Sequence, residues 1–378
     1  MNINHRLNEL RTFMNEQGIA ACVISNPDHQ YYLSSFKAIL YSRPILFVLD
    51  EKSTSFIVPA LEEVHAKEEA KIDRILTYYE HPEKAKEGIH PYQHLEKLLV
   101  PYSTGSKIGI DMSATSAGLA EWIRKLGFTL VDVGQKIVEM RYIKDEEELK
   151  LLEEAGRLVN LAVDQSLKAC REGITEIEMD AAGNEALFKE TAKKHPNSTL
   201  DLFAMSPSGI ERTIMPHVFS NTRKLRKGDV IIHSRQVALN GYRAELERTV
   251  VLGELTKKQR RGFEAAKLAQ QASIDFIKPG VTAAEVDEVS RNVLREAGFG
   301  EYAIHRAGHG IGISAHEEPS LRFDNDLMLK KGMVFTIEPG IFIPGIGGFR
   351  HSDTLILTEN GHRLITEYPR ELEDLTYR

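Results

Sequence analysis

The chain has little cysteine, no long basic run and no long apolar run, and each absence excludes a class of protein. Two cysteines, Cys22 and Cys170, are too few for a disulfide framework or a thiolate metal cluster, which favours a reducing compartment. No basic block is longer than KLRK, and the net charge of −7 argues against a nucleic-acid partner. No run approaches a membrane span, and the polar N-terminus lacks the pattern of a signal peptide. We therefore expect a cytoplasmic protein without a membrane partner.

What remains is a soluble globular chain with two predicted domains. Its 378 residues, 42% hydrophobic and 27% charged, are enough for two cores. Alternating helix and strand patterns over residues 1–140 predict a small α/β domain. After Met140, Asp145 and Glu148 show the pattern of a capping box at the start of a long helix. The predicted second domain therefore covers residues 141–378.

The second domain contains an internal repeat. Residues 171–182 and 278–289 both follow a predicted helix, and both contain a glycine, a β-branched residue, a threonine and a later aspartate at matching positions. Thr175 and Thr282 are the expected N-caps of the helices that follow. Chance similarity between two helix corners is the alternative. A duplicated unit of two helices and a hairpin would place a ligand cleft between its halves.

The stretch from Arg212 to Thr249 places polar groups on apolar strands. A turn at Asn240–Gly241 between two strand-like runs predicts a hairpin. His233, Glu245 and Glu247 lie within the hairpin, and burial of such groups costs stability unless they are paired. They are therefore candidate functional residues. Alternation along the strand places the two glutamates on the same face.

Four motifs in the second half, GHGIG, HEEP, TIEPGIF and GGFRHSDTLILTENG, make the chain resemble the creatinase/aminopeptidase (pita-bread, peptidase M24) family. This family includes Xaa-Pro aminopeptidases, prolidases, methionine aminopeptidases and metal-free creatinases. The resemblance is strong over residues 145–370 and looser in the N-terminal domain. It implies an α+β fold: a C-terminal pita-bread domain, with a duplicated helix-helix-hairpin unit around a curved antiparallel sheet, and a smaller N-terminal α/β domain.

The metallopeptidases of this family use five ligands, namely Asp, Asp, His, Glu and Glu. Matched motif by motif, these ligands fall on His233, Glu245, His309, Glu338 and Ser352. Only two of the five identities are kept, and a serine does not chelate as a carboxylate does, so a dinuclear hydrolase is not expected. One divalent ion such as Mn, Co or Zn, held by His233, Glu245, His309 and Glu338, stays open as an alternative.

The metal-free creatinase branch gives a second set of matches. The proton-shuttling histidine of that branch falls on His217, and its guanidinium-binding carboxylates fall on Glu247 and Glu338. The string Tyr41–Pro44 stands where the branch has an arginine that reaches across a dimer to the substrate carboxylate. The resemblance thus implies that His217 exchanges protons while two carboxylates hold a planar cation. Arg43 would bind the substrate carboxylate.

Other positions are expected to contact the substrate. The predicted substrate-binding residues are Tyr41, Arg43, Arg243, His309, His316 and Arg322. Arg243 replaces a tyrosine of the creatinases, and Glu245 is an additional carboxylate. An analogous small C–N compound is therefore as well matched as creatine.

The sequence thus predicts a homodimeric, metal-independent hydrolase that needs no cofactor. It would cleave a C–N bond in a small, carboxylate-bearing guanidino or amidino compound. Two alternatives stay open: an Xaa-Pro dipeptidase or aminopeptidase with at most one metal ion, and a catalytically silent pita-bread binding protein. Sensitivity to chelation and binding of small ligands would separate the three.

Overall fold

The computed structural model describes residues 2–39 and 42–378, which divide into two compact units at Met1–Arg141 and Tyr142–Arg378. Each unit has its own sheet and its own core. No helix in the described part of the chain is both long and apolar enough to cross a bilayer. Tyr41, one of the expected substrate-binding residues, lies outside the described residues.

The first unit is a six-stranded mixed sheet in the order β4-β3-β2-β1-β5-β6. Its strands are β1 (Ile19–Ile24), β2 (Leu46–Asp50), β3 (Thr54–Pro59), β4 (Arg74–Tyr78), β5 (Lys107–Ile110) and β6 (Thr129–Asp132). Its α-helices are α1 (Ile3–Gln17), α2 (Pro27–Ser34), α3 (Glu63–Glu69), α4 (Pro91–Leu99), α5 (Ala117–Lys125) and α6 (Gly134–Met140). The central strand β1 is an apolar run because both of its faces are covered.

The second unit is organised around a curved, mainly antiparallel sheet in the order β11-β10-β12-β15-β9-β8-β7. Its strands are β7 (Leu200–Met205), β8 (Asp229–Leu239), β9 (Tyr242–Leu252), β10 (Gly308–Gly310), β11 (Glu317–Leu321), β12 (Val334–Ile337), β13 (Gly340–Ile343), β14 (Gly347–Arg350), β15 (Ser352–Leu357), β16 (His362–Leu364) and β17 (Thr376–Tyr377). Strands β13 and β14 form a separate ribbon, β16 pairs with β15, and β17 pairs with β9. The predicted pita-bread arrangement is confirmed.

The helices of the second unit pack against this sheet. They are α7 (Glu146–Ala169), α8 (Glu176–Lys194), α9 (Gly209–Arg212), α10 (Lys257–Phe276) and α11 (Ala283–Glu296). One apolar core joins α7, α8 and α10 to β8 and β9, and a second joins α10 and α11 to β12 and β15. Because the helices cover the outer face of the sheet, its inner face is left to form a site.

Two corresponding corners repeat in this unit. Thr175 caps α8 and Thr282 caps α11, and each exchanges reciprocal hydrogen bonds with the glutamate three residues later. Each threonine also forms a backbone bridge to a later loop, at Lys224 and Met328 respectively. The two predicted N-caps are therefore confirmed, and the corners have the same local structure.

The hairpin of β8 and β9 turns on two residues with positive φ, Asn240 at 47° and Gly241 at 84°. Such a two-residue turn fixes the strand register. Gln236 therefore pairs with Glu245, and Ser234 pairs with Glu247. The structure extends each predicted strand of the hairpin to 11 residues.

Candidate functional site

A cavity of about 370 Å³ opens on the inner face of the sheet in the second unit. One wall is apolar and contains Phe203, Met205, Val218, Phe219 and Ala315. The polar lining consists of His217, Ser234, Gln236, Arg243, Glu245, His316, Glu338 and Arg350. The sheet order explains this convergence, because β8, β9, β15, β12 and β10 are consecutive neighbours.

Three buried ligand-type side chains meet at this cavity. Glu245 lies on β9, His309 on β10, and Glu338 directly follows β12. One ligand atom from each lies within 4.8 Å of the other two. We call these three residues the ligand cluster. Nitrogen and carboxylate oxygen are donors that suit several divalent transition-metal ions.

The imidazole of His309 is oriented as a metal ligand would be. Its Nδ1 lies 2.8 Å from the carbonyl oxygen of Gly310, which only accepts, so Nδ1 carries the hydrogen. Its Nε2 lies 3.1 Å from Oε1 of Glu338 without the alignment of a hydrogen bond. Burial lowers the pKa of His309, but the Glu338 carboxylate outweighs burial and raises it. A lone pair facing a carboxylate attracts a cation, whether a proton or a metal ion.

Glu245 is held by two neutral donors. Nε2 of Gln236 donates to Oε2 at 2.6 Å, and Oγ of Ser352 donates to Oε1 at 2.7 Å. Burial and the charge of Glu338 raise the pKa of Glu245 to about 7. Each carboxylate oxygen has two lone pairs, so one on each remains for an ion. The three residues of the cluster therefore fit one ion with its supporting contacts in place.

A second ion does not fit beside the ligand cluster, in the space next to Ser234 and Ser352. Serines occupy positions 234 and 352, where a second ion would need carboxylates. Arg350 places a permanent cation there instead, with Nε and Nη2 donating to the two oxygens of Glu247 at 2.6 and 2.7 Å. Nη1 of Arg350 also lies 3.7 Å from Oε2 of Glu338. Burial raises the pKa of Glu338, but the charge of Arg350 dominates and holds it well below its usual value.

Two residues predicted to act in the site take other positions. His233 faces away from the cavity because it alternates with Ser234 along β8. Its ring nitrogens contact Oγ of Ser206 at 2.7 Å and Nε of Arg235 at 3.1 Å, behind the sheet. His233 as a metal ligand is therefore wrong, and Ser234 holds the site-facing position. Glu247 is not free to bind a substrate cation, because Arg350 already occupies both of its oxygens.

Histidines surround the cluster. His217 and His316 both line the cavity, and the ring of His316 lies 4.1 Å from that of His309, centroid to centroid. Burial and the positive charge of His309 lower the pKa of His316 to about 4. His305 approaches the other side, with Nε2 at 4.0 Å from Oε1 of Glu338. His217 and His316 thus both border the cavity, and their role in proton exchange stays a prediction.

The predicted substrate-binding arginines separate into three environments. Arg243 lines the cavity. Arg322 does not line it, and its side chain is 54% exposed and pairs with Asp324, so its role in substrate binding stays a prediction. Arg43 lies in the first unit, where its guanidinium pairs with Glu80 at 2.7 Å. Its role as a carboxylate anchor stays a prediction.

Sequence reasoning missed Ser234, Gln236 and His305. The first two were accessible from the pattern, because a two-residue turn at Asn240–Gly241 pairs Glu245 with Gln236. His305 precedes His309 by four residues in an irregular loop, where no periodicity predicts the direction of a side chain.

Comparison with known proteins shows which family the chain resembles. Metallopeptidase family M24 matches residues 150–359, and the creatinase/prolidase N-terminal domain matches residues 6–143. An Xaa-Pro dipeptidase of Pyrococcus horikoshii is 32% identical to this chain, covering 98% of it and 99% of its own length. An Xaa-Pro dipeptidase of Pyrococcus furiosus is 31% identical, covering 98% of this chain and all of its own length.

A solved structure agrees along the whole chain. The prolidase from Pyrococcus horikoshii OT3 superimposes with a TM-score of 0.86 and 30% identity, covering 97% of this chain and 99% of that one. Both family matches fall where the two units lie, and this structure extends across both. The chain belongs to metallopeptidase family M24.

Proposed function

We propose that this protein is a hydrolase of small peptides, of the Xaa-Pro dipeptidase type, that works with a single divalent ion. The observation that carries the proposal is the ligand cluster of Glu245, His309 and Glu338 at a cavity with an apolar wall. An ion bound there would polarise the scissile carbonyl and lower the pKa of a bound water. The relatives named above are dipeptidases and a prolidase, which supports the same substrate class.

The residues of the chain have separate tasks in this reaction. Gln236 and Ser352 fix the Glu245 carboxylate from both sides, so the cluster is preorganised. His217 and His316 stand at the cavity wall, where an imidazole can take a proton from the attacking water and then give it to the leaving nitrogen. The apolar wall excludes water from one side and accepts a ring such as that of proline.

A metal-independent reaction on a guanidino or amidino compound is the second candidate. The serines at positions 234 and 352 favour it, because they remove carboxylates that a two-ion site needs. Against it, Glu247 has both oxygens bound to Arg350 and leaves Glu338 alone to hold a substrate cation. A creatine-type substrate gains no support from the relatives described above. Homodimer formation also stays a prediction.

Hydrolysis assays with and without metal separate these candidates. The protein loaded with Mn²⁺, Co²⁺ or Zn²⁺ is tested on Xaa-Pro dipeptides and on creatine, before and after chelation. We expect dipeptide cleavage that chelation abolishes and that Glu338→Gln lacks. Cleavage of creatine unaffected by chelation would contradict the proposal and favour the second candidate. No cleavage of either compound would contradict both and favour a silent binding protein.

A further inference from the structure

Two arginines line the cavity, and only one of them is tied up in a buried carboxylate pair. Arg350 is buried and has both arms on Glu247. Arg243 instead is part-buried at the end of β9, beside the hairpin turn, and it lines the cavity. Because an arginine carries its charge at every physiological pH, Arg243 gives one edge of the site a fixed positive charge.

The contacts of Arg243 hold its guanidinium in place and leave part of it available. Nε donates to the carbonyl oxygen of Ile313 at 3.3 Å, Nη1 to Oε1 of Gln236 at 3.4 Å, and Nη2 to Oδ2 of Asp201 at 2.8 Å. A guanidinium has five N–H groups, so each terminal nitrogen keeps one beyond these three contacts. Two N–H groups on neighbouring nitrogens match the two oxygens of a carboxylate.

The pairing with Asp201 does not close this position. The Asp201 side chain is 55% exposed, whereas that of Arg243 is 13% exposed. Asp201 contacts only Nη2 of Arg243. An ion pair that is this exposed to water contributes little to stability. A substrate carboxylate inside the cavity therefore adds to the Arg243 contacts without having to replace a buried partner.

Arg243 lies close to the ligand cluster. Arg243 and Glu245 lie on the same face of β9, two residues apart. Gln236 links them, because its Oε1 accepts from Nη1 of Arg243 at 3.4 Å and its Nε2 donates to Oε2 of Glu245 at 2.6 Å. In a dipeptide a single residue, about 3.5 Å long when extended, separates the peptide bond from the terminal carboxylate. A peptide bond at the cluster and a carboxylate at Arg243 are therefore within reach of one bound molecule.

We propose that Arg243 is the specificity-determining anchor for the free terminal carboxylate of a dipeptide substrate, a role that the family resemblance implied for Arg43. This proposal rests on the proposed function. It makes the enzyme selective for dipeptides with a free C-terminus over their amides and over longer peptides. The apolar wall formed by Phe203, Val218 and Phe219 would receive the C-terminal side chain.

Ligand binding tests the anchor without requiring turnover. The affinities of L-proline and L-prolinamide, which differ only in the carboxylate, are measured by calorimetry on the metal-loaded protein. We expect the wild type to prefer proline by about 10-fold or more, as a charge-assisted hydrogen-bonded pair implies. In Arg243→Gln the ratio of the two affinities should fall towards one, and Arg243→Lys should recover only part of it.

Arg157 provides a matched control, and Arg43 is the alternative anchor. Arg157 also pairs with carboxylates, Glu154 and Glu190, but lies on helix α7 outside the cavity. Arg157→Gln should therefore keep the wild-type ratio. An unchanged ratio in Arg243→Gln, or a ratio lost in Arg43→Gln instead, would overturn the proposal.

Turnover separates this proposal from the proposed function. For an Xaa-Pro dipeptide, Arg243→Gln should raise KM by about the same factor as the loss of proline affinity, with a smaller effect on kcat. A wild type that cleaves dipeptides but binds proline and prolinamide equally would overturn the anchor alone. A wild type that prefers proline but cleaves no peptide would support the anchor and overturn the hydrolase.

Discussion

The two halves of the second unit share a scaffold and differ in chemistry. Thr175 and Thr282 begin corresponding helices with the same reciprocal capping bonds. At the sheet, the second half supplies the ligands His309 and Glu338, whereas the first half supplies one ligand, Glu245. Helix caps act on the local backbone and preserve the fold in both halves. Side chains that face the cavity set the chemistry of the site, so two halves with the same scaffold can differ in function.

The halves also differ in the hydrogen bonding of a buried histidine. His233 in the first half contacts Ser206 and Arg235 behind the sheet. His351 in the second half is fully buried against the ring of Phe263, and neither of its nitrogens has a hydrogen bond within residues 2–39 and 42–378. A paired polar group supports a fold, whereas an unpaired one costs stability.

The largest expected effect is a loss of hydrolysis that tests the chemical difference between the halves. His309→Ala removes a ligand from the second half, and Ser234→Ala changes the cavity face of the first half. We expect His309→Ala to lower dipeptide hydrolysis by more than about 100-fold, and Ser234→Ala by less than about 10-fold, because only the first removes a direct ligand. Steady-state kinetics at saturating Mn²⁺ measure both, and His362→Ala, outside the cavity, is the control. Equal losses in the two variants would contradict the account.

The next prediction concerns the proton shared by the ligand cluster in metal-free protein. The pKa of Glu245 is raised from 4.5 to about 7, so between these values the folded state binds a proton that the unfolded state releases. The stability from Glu245 is complete below about pH 4.5 and is lost as the pH rises through 7, at up to about 1.4 kcal/mol per unit. Glu245→Gln should lack this loss.

Urea unfolding of both metal-free proteins from pH 4.5 to 8 checks this expectation. The stability of the wild type minus that of Glu245→Gln is the useful quantity, since titrating groups that do not interact with Glu245 cancel in the difference, whereas its neighbours His309 and Glu338 contribute to it. It should fall with rising pH and level off above 7. A difference that stays flat or rises across this range would show that Glu245 is ionised throughout.

Replacing the two buried histidines should give smaller effects, which are changes in stability. His233→Leu should cost about 1–3 kcal/mol, because it leaves the buried Nε–H of Arg235 without an acceptor and removes one of the two contacts of Ser206 Oγ. His351→Leu should be neutral or stabilise the protein by about 1 kcal/mol, because it removes two unpaired polar atoms. Denaturant midpoints at pH 7 measure both changes. A large loss of stability in His351→Leu would indicate that this ring has a structural partner.

The smallest expected effects test the shared scaffold. Thr175→Ala and Thr282→Ala should each destabilise the protein by about 1 kcal/mol, the usual value of an N-cap side chain. Because the two boxes have the same bonds, the two losses should agree within about 0.5 kcal/mol. Denaturant unfolding measures them, with Thr→Ser at each position as the conservative control. A loss in one variant alone would show that the repeat is not equivalent in energy.

Much of this architecture follows from local sequence patterns. Asp145 with Glu148, Thr175 and Thr282 mark helix starts because a capping side chain acts within one helical turn. Asn240–Gly241 marks the hairpin because both residues tolerate positive φ. The motif resemblance also brought Glu245, His309 and Glu338 together correctly.

The remaining features depend on contacts between distant strands. His233 was matched by its place in the motif, but the hairpin register points Ser234 into the cavity. Arg350 reaches Glu247 because β14 lies against β9, where Thr249 bonds to the Arg350 backbone. No local pattern predicts that contact, so the sequence suggested a free carboxylate at Glu247. This contact is one reason why the substrate class that we propose is a peptide and not a guanidinium compound.

Counting the bound ions tests the central claim most directly. The protein is loaded with Mn²⁺, desalted and analysed for its metal content, together with Glu338→Gln. The account predicts one ion per chain in the wild type and none in the variant, because serines at positions 234 and 352 supply no carboxylates for a second ion. No ion in the wild type would contradict the single-ion hydrolase, and two ions would contradict the loss of ligands at positions 234 and 352.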